Sequence, residues 1–244
     1  MRGPDVTAWQ QFLASQGLNP GAPDGVFGRG THTASVAFQE AHNLIADAII
    51  GTRTQSQARL LGFTGPLVTD LATLVPVPPL SEINVGLSAG NHAEMMSKFG
   101  APGPRSPGCS DLTNQRLREQ TIVEDVGPFR ARGWRPAVQQ LQEIFAAVRQ
   151  HEPQVFEQVQ TAGMSCVRHV RGVPSRFSNH AWGTAIDVFF GDGVDPVNDG
   201  LTQLGLLKLQ PFFNERRWFW GAEFSREDSM HFEMSRELID DLDF

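Results

Sequence analysis

Apolar positions near the start of the chain recur at helical spacing. Val6, Trp9, Phe12 and Leu13 fall on one face of a helix. The segment carrying Val36, Ala37 and Phe38 and the one reaching Leu60 and Leu61 predict two more. Between them the polar text repeats: "DGVFGRGT" at 24–31 returns as "DAIIGTRT" at 47–54, displaced by 23 residues, a distance typical of short repeats. Each copy reads Asp, any residue, two apolar residues, Gly, any two, Thr. Thr31 and Thr54 are expected to N-cap the helices that follow, with Gly28 and Gly51 turning the chain into each cap. The pattern predicts a three-helix domain over residues 1–63.

From 64 to 81 the text "TGPLVTDLATLVPVPPLS" is proline-rich and aperiodic, so it reads as a linker, partly extended. Residues 82–244 form a second predicted domain. Its clearest helix is 135–150, with Pro136 in the first turn and an apolar stripe of Val138, Leu141, Phe145 and Val148. From Gly163 to Phe190 the chain mixes β-branched and small residues with glycine and proline, as short strands and loops do. "RWFWGAEF" and "MHFEMS" predict a further strand pair. The fold class is therefore α+β, a small antiparallel sheet packed with helices, preceded by the three-helix domain.

Composition narrows the partners. A net charge of -7 argues against nucleic acid, whose partners are usually basic. No apolar run approaches the ~20 residues that cross a bilayer. "MRGPDVTAWQQFL" has no apolar stretch behind its arginine and so does not read as a secretory signal. Cys109 and Cys166 form either one bridge or two buried thiols.

Two segments carry chemistry. In "TAIDVFF", 184–190, strand alternation puts Ala185 and Asp187 on one face, with space above the carboxylate. His180 precedes the strand, and Gly183 lets the chain bend so that its imidazole can reach Asp187. In "DSMHFE", 228–233, His231 and Glu233 share a strand face and Asp228 sits in the preceding turn. Two imidazoles and a carboxylate suit a catalytic zinc, leaving a position for water. That water needs a base. Asp228 stays near the metal without binding it; Glu233 is the rival, as base or as the acceptor that fixes an imidazole tautomer.

These residues resemble the zinc peptidase family of D-Ala-D-Ala carboxypeptidases, VanY-like enzymes and phage L-alanyl-D-glutamate endolysins. The family pattern Ser-x-His-x-x-Gly-x-Ala-x-Asp stands here as Ser178, His180, Gly183, Ala185 and Asp187, and the downstream acid-x-x-His as Asp228 and His231. The resemblance implies one zinc on His180, Asp187 and His231, with Asp228 as general base. It also implies an oxyanion-stabilising arginine, for which Arg168 is first choice and Arg171 the fallback. Ser178 and Glu233 are expected around the ligands. Trp182, Trp218 and Trp220 are either core or the lining of a substrate cleft. "GDGVDPVNDG", 191–200, lacks the acid spacing of an EF-hand loop and reads as a solvent loop at the cleft mouth.

The first domain resembles the common peptidoglycan-binding domain through Trp9-Gln10, Asp24-Gly25-Val26-Phe27-Gly28, Thr31 and Val36-Ala37-Phe38-Gln39, with Ala48 departing from its usual glycine. The joint expectation is a monomeric cell-wall hydrolase acting in the wall or periplasm, reached by pore-type release or a dedicated secretion system unless the chain is trimmed. Its peptidoglycan partner is cut in the peptide stem. An L-alanyl-D-glutamate endopeptidase is expected, with a D-alanyl-D-alanine carboxypeptidase as the alternative. A non-catalytic wall-binding protein with a structural metal is the alternative of another class, for which four protein ligands would be usual.

Overall fold

The computed structural model describes residues 3–65 and 71–244. Its contacts divide the chain into two units, Met1–Asp70 and Leu71–Phe244. Residues 66–70 of the expected linker lie outside the described residues.

The first unit is three helices: α1 (Pro4–Ser15), α2 (Arg29–Ala41) and α3 (Thr52–Leu60). Trp9, Phe12, Leu13, Ala34, Phe38, Ala58 and Phe63 make its core. The sequence repeat is a repeated hydrogen-bond latch. Gln10, 1 % exposed, donates through Nε2 to Asp24 Oδ1, the Val26 carbonyl and Thr31 Oγ1, and accepts the Gly25 N–H. Gln39, also 1 % exposed, does the same to Asp47 Oδ1, the Ile49 carbonyl and Thr54 Oγ1, and accepts the Ala48 N–H. Each buried amide thus satisfies a whole turn that no ladder could reach. Thr31 and Thr54 are not N-caps. They lie inside α2 and α3 and donate to the Val26 and Ile49 carbonyls, while Gly28 and Gly51 hold the cap positions. Ala48 adopts φ 60°, where Gly25 of the first copy has φ 72°, so the second turn holds a side chain in left-handed backbone.

The second unit begins inside the proline-rich text. β1 (Leu74–Pro76) pairs antiparallel with β8 (Leu201–Gln203), and Leu71 and Ile83 are each 2 % exposed in the core. Proline is tolerated there because a two-stranded ladder has only edges. α4 (His92–Phe99) and the short α5 (Gln115–Glu119) lead to a hairpin, β2 (Thr121–Asp125) with β3 (Arg130–Trp134). α6 (Arg135–His151) follows as expected, with Val138, Leu141, Phe145 and Val148 at 0 % exposure. After α7 (Pro153–Gln158) come β4 (Gln160–Gly163), the hairpin β5 (His169–Val170) and β6 (Val173–Phe177), and β7 (Ala185–Phe189). α8 (Leu204–Glu215), β9 (Trp218–Trp220), β10 (His231–Met234) and α9 (Arg236–Asp241) complete the unit.

The main sheet has four antiparallel strands in the order β4-β7-β10-β9. This second unit is a mixed helix-and-sheet architecture, and the first unit is helical. Cys109 and Cys166 form a disulfide. Beside it Ser110 pairs with Val167 and the His169 N–H donates to the Ser106 carbonyl, so the 104–110 loop is sewn to the chain leading into β5. Trp182, Trp218 and Trp220 are at most 1 % exposed. They do not line a cleft, because each indole N–H is spent inside: on the Gly100 carbonyl, Gln140 Oε1 and the Ser229 carbonyl.

The two glutamine latches make the same bonds, so Gln10→Ala and Gln39→Ala should each destabilise the first unit, by about 2–3 kcal/mol for the buried groups orphaned. Denaturant melts of the full chain check this. A loss below about 0.5 kcal/mol at either position would show that its latch does not hold the turn.

Candidate metal centre

Strand register builds the centre. β7 and β10 pair so that His231 stands opposite Asp187, Phe232 opposite Ile186 and Glu233 opposite Ala185. His231, Asp187 and Glu233 therefore share one face, and Ile186 and Phe232 the other. Ala185, paired with Glu233 across the strands, is fully buried. His180 arrives from a short 3-10 turn, Asn179–Trp182. Gly183 ends that turn at φ 67°, and a Cβ there would lie 2.8 Å from both Gly133 Cα and Trp134 N. Only glycine permits both the left-handed bend and that approach.

Three ligand-type atoms converge. His180 Nε2 and His231 Nδ1 each lie 3.0 Å from Asp187 Oδ1 and 3.2 Å from one another. Tetrahedral ligands about 2.0–2.1 Å from a zinc ion stand about 3.3 Å apart, close to this triangle. The tautomers fit as well. His180 Nδ1–H donates to the Met164 carbonyl at 2.7 Å, and His231 Nε2–H to Glu233 Oε2 at 2.9 Å. Each neutral ring then aims its other lone pair at the carboxylate oxygen. Three lone pairs facing inward repel unless a cation or a proton lies between them. Among the described residues no further imidazole, carboxylate or thiolate joins this group.

The charges respond accordingly. Burial would raise the Asp187 pKa, but His180 and His231 hold it well below the carboxylate range. Burial works to lower that of His231, and the hydrogen bonds and charges of Asp187 and Glu233 overcome it, holding it at about 10.

Glu233, 3 % exposed, is saturated by donors: His231 Nε2, Asn179 Nδ2 at 2.7 Å and the Gly90 N–H at 2.7 Å. It bonds the ring nitrogen of His231 opposite the one that faces Asp187. Neither Asn179 nor Gly90 was foreseeable from motif spacing, and the Met164 contact is a backbone carbonyl that no side-chain pattern encodes.

Asp228 is half-buried at the entrance to β10. Its N–H donates to the Gly221 carbonyl and its own carbonyl accepts the His231 N–H, so the turn ties it to the ligand. Burial raises its pKa; His231 and His180 oppose this, while Asp187 and Glu227 add to it. Glu227 clamps the turn, accepting from Ser229 N and Oγ through one oxygen and from the Asn198 and Asp199 N–H groups through the other. The 191–200 loop is thereby fastened to Glu227, the residue before Asp228, and is not wholly in solvent: Asp195 is 1 % exposed.

Arg168 is half-buried just before β5, its Nη1 3.4 Å from the His169 carbonyl. The Cys166 N–H donates to the His180 carbonyl and the Ser178 N–H to that of Arg168. Arg168 thus enters beside the His180 turn, whereas Arg171 is exposed in the β5–β6 turn. Ser178, 9 % exposed, starts the 3-10 turn.

Residues 171–234 match the sequence profile of the D-alanyl-D-alanine carboxypeptidase family. Residues 2–57 match that of a peptidoglycan binding domain. The first span takes in Ser178, His180, Asp187, Asp228, His231 and Glu233; the second takes in both glutamine-latched turns. No curated protein and no solved structure matches the chain. The two matches agree with the resemblance carried by the motifs. They support a cell-wall peptidase, a hydrolase that acts on peptidoglycan and brings its own peptidoglycan-binding unit. Among the described residues no helix is long and apolar enough to cross a membrane.

Asp195 generates a test of the loop. Its Oδ1 accepts the Gln203 N–H at 2.7 Å, while its buried Oδ2 has no partner among the described residues. Burial pushes its pKa up to about 7, against the Gln203 bond and with help from Glu227, Asp199 and Asp228. An acid with a raised folded pKa costs nothing where both states are protonated, below about pH 4. Its penalty grows between the unfolded and folded values and is complete above about pH 7. Asp195→Asn should therefore gain stability over the wild type as pH rises from about 4 to 8, by up to a few kcal/mol. Thermal melts across that range check it, and a difference independent of pH refutes it.

Proposed function

We propose that this chain is a zinc peptidase that hydrolyses the amide between L-alanine and D-glutamate in the peptidoglycan stem. The triangle of His180 Nε2, Asp187 Oδ1 and His231 Nδ1 carries the reading. Those three residues would hold the zinc, which when bound supplies a Lewis acid for the scissile carbonyl and lowers the pKa of water toward neutrality.

The chain's own groups do the rest. Asp228 takes the proton of the attacking water and, once the C–N bond breaks, returns it to the leaving amine. Its place in the turn, with its carbonyl accepting the His231 N–H, keeps it beside that residue for both transfers. Glu233 fixes the tautomer and tilt of His231. Arg168, entering beside the His180 turn, is assigned to the negative charge that develops on the carbonyl oxygen, worth a few kcal/mol when well aimed. The first unit, with residues 1–63 as the proposed domain, holds the insoluble substrate and raises the effective concentration of the second. The chain is proposed to work as a monomer.

The acid of the Asp-x-x-His segment, aspartate here, favours the endopeptidase. One observation favours a second reading, D-alanyl-D-alanine carboxypeptidase: the description of the family profile matched by residues 171–234.

Purified sacculi digested with the zinc-loaded protein decide between them by mass spectrometry of the products. Stems beginning at D-glutamate are expected; loss of a single terminal D-alanine would establish the second reading and overturn the first. Asp228→Asn should lower turnover by about 100-fold or more while still binding zinc. Activity that survives this change, or survives chelation, removes the mechanism. Glu233→Gln should weaken zinc binding by about 10–100-fold in competition with a chromophoric chelator, and an unchanged affinity would show that Glu233 does not orient His231.

A further inference from the structure

Unpaired positive groups gather around Phe177, the last residue of β6 and three positions before His180. Phe177 is 4 % exposed. The Arg105 guanidinium lies over its ring, with Cζ 5.3 Å from the centroid. His92, the first residue of α4, brings its ring 6.1 Å from that of Phe177 and 6.0 Å from that of Trp182. Arg176 directly precedes Phe177 and is exposed. Among the described residues neither arginine is in an ion pair with a carboxylate; the arginine pairs are those of Arg216, Arg217 and Arg236.

The state of His92 is set by geometry. Its Nδ1 accepts the Phe177 backbone N–H at 3.2 Å. That nitrogen carries no proton, so the neutral ring presents Nε2–H as a donor. Partial burial lowers the His92 pKa, and the charges of Arg105 and Arg176 lower it further, which keeps the ring in that form. The Arg105 guanidinium over the Phe177 ring and the exposed Arg176 that precedes this residue, neither of them in an ion pair with a carboxylate among the described residues, place positive charge here in a chain of net charge -7. Guanidinium is also the donor best shaped for a carboxylate.

The cluster is fastened to the metal centre. Gly90, two residues before His92, donates its N–H to Glu233 Oε1, and Asn179 Nδ2 donates to Glu233 Oε2. Glu233 in turn holds His231. The segment that delivers His92 is thus anchored to the group that orients a ligand.

We propose that Arg105, Arg176 and His92 Nε2–H form a carboxylate-binding subsite beside the metal centre, which seats a free carboxylate of the stem peptide and sets which amide reaches the metal. The inference rests on the reading of this centre as a stem-peptide peptidase. A stem offers two such carboxylates: the α-carboxylate of D-glutamate, whose chain continues through the γ-carbon, and the C-terminal one.

The test uses three synthetic probes: L-Ala-γ-D-Glu-L-Lys-D-Ala-D-Ala, the same peptide with the D-glutamate α-carboxyl amidated, and the same with an amidated C-terminus. Binding is measured by calorimetry on the zinc-loaded full chain carrying Asp228→Asn, with and without Arg105→Gln and Arg176→Gln; kcat/KM is measured with Asp228 intact. Amidating one of the two carboxyls should weaken binding at least tenfold, and that position names the source. The arginine changes should weaken the unmodified peptide to the same extent and leave the sensitive amide unaffected. Arg176→Gln alone, at an exposed position, should give part of the loss with an unchanged thermal melt, and Arg105→Lys should restore part of it. Equal losses for all three probes, no effect of the arginine changes, or no binding of the unmodified peptide by the starting protein would overturn the subsite. Carboxylate-selective binding without cleavage of any probe by the Asp228-intact protein would leave the subsite standing and remove the proposed reaction.

Discussion

The register between β7 and β10 is the constraint on which the rest depends. Because side chains alternate along a strand, a slip of one residue would turn Asp187 away from His231 and send Ile186 or Val188 to the polar face. The register is held from the opposite side of the sheet. Phe232, 0 % exposed, stacks on Phe213 with centroids 4.1 Å apart and lies parallel to Trp220. Core packing and ligand alignment are two faces of one strand pair.

Around that pair several acids gather on one set of segments and two arginines with a histidine on another. The chain entering β10 and the loop fastened to it supply Asp195, Asp199, Glu227 and Asp228. Other segments, β6, the 104–110 loop and the start of α4, supply Arg176, Arg105 and His92. A net charge of -7 gives no hint of this division, which arises only when segments far apart in sequence fold onto neighbouring elements.

What could be read from the sequence was what local spacing encodes. His180, Gly183, Ala185 and Asp187 occupy positions whose roles follow from strand alternation and one bend, and His231 with Glu233 from alternation alone. The α6 stripe was legible for the same reason. Spacing could not say how long side chains would be used. Gln10 and Gln39 belong to the family pattern, but spacing did not show that they are the buried centres of the repeated turns, bonded to Thr31 and Thr54 inside the helices. The three tryptophans could be weighed as core or cleft, but only tertiary contacts show where each indole N–H is spent. Long-range partners such as Gly90, Asn179, Arg105 and His92 left no local trace, and the pairing of Cys109 with Cys166 was one of two open choices.

That disulfide has a consequence for the chain when it is not folded. The bridge spans 57 residues, a ring that contains β2, β3 and the whole of α6. In a chain-entropy picture, closing a loop of that length removes about 4 kcal/mol of freedom from the denatured ensemble at 25 °C. The segment leading to Arg168 and His180 therefore stays tethered to the 104–110 loop after heat or denaturant has dissolved every strand. Refolding of this half of the site starts from a covalently closed ring, and the search for the register that aligns Asp187 with His231 begins with part of its topology already fixed.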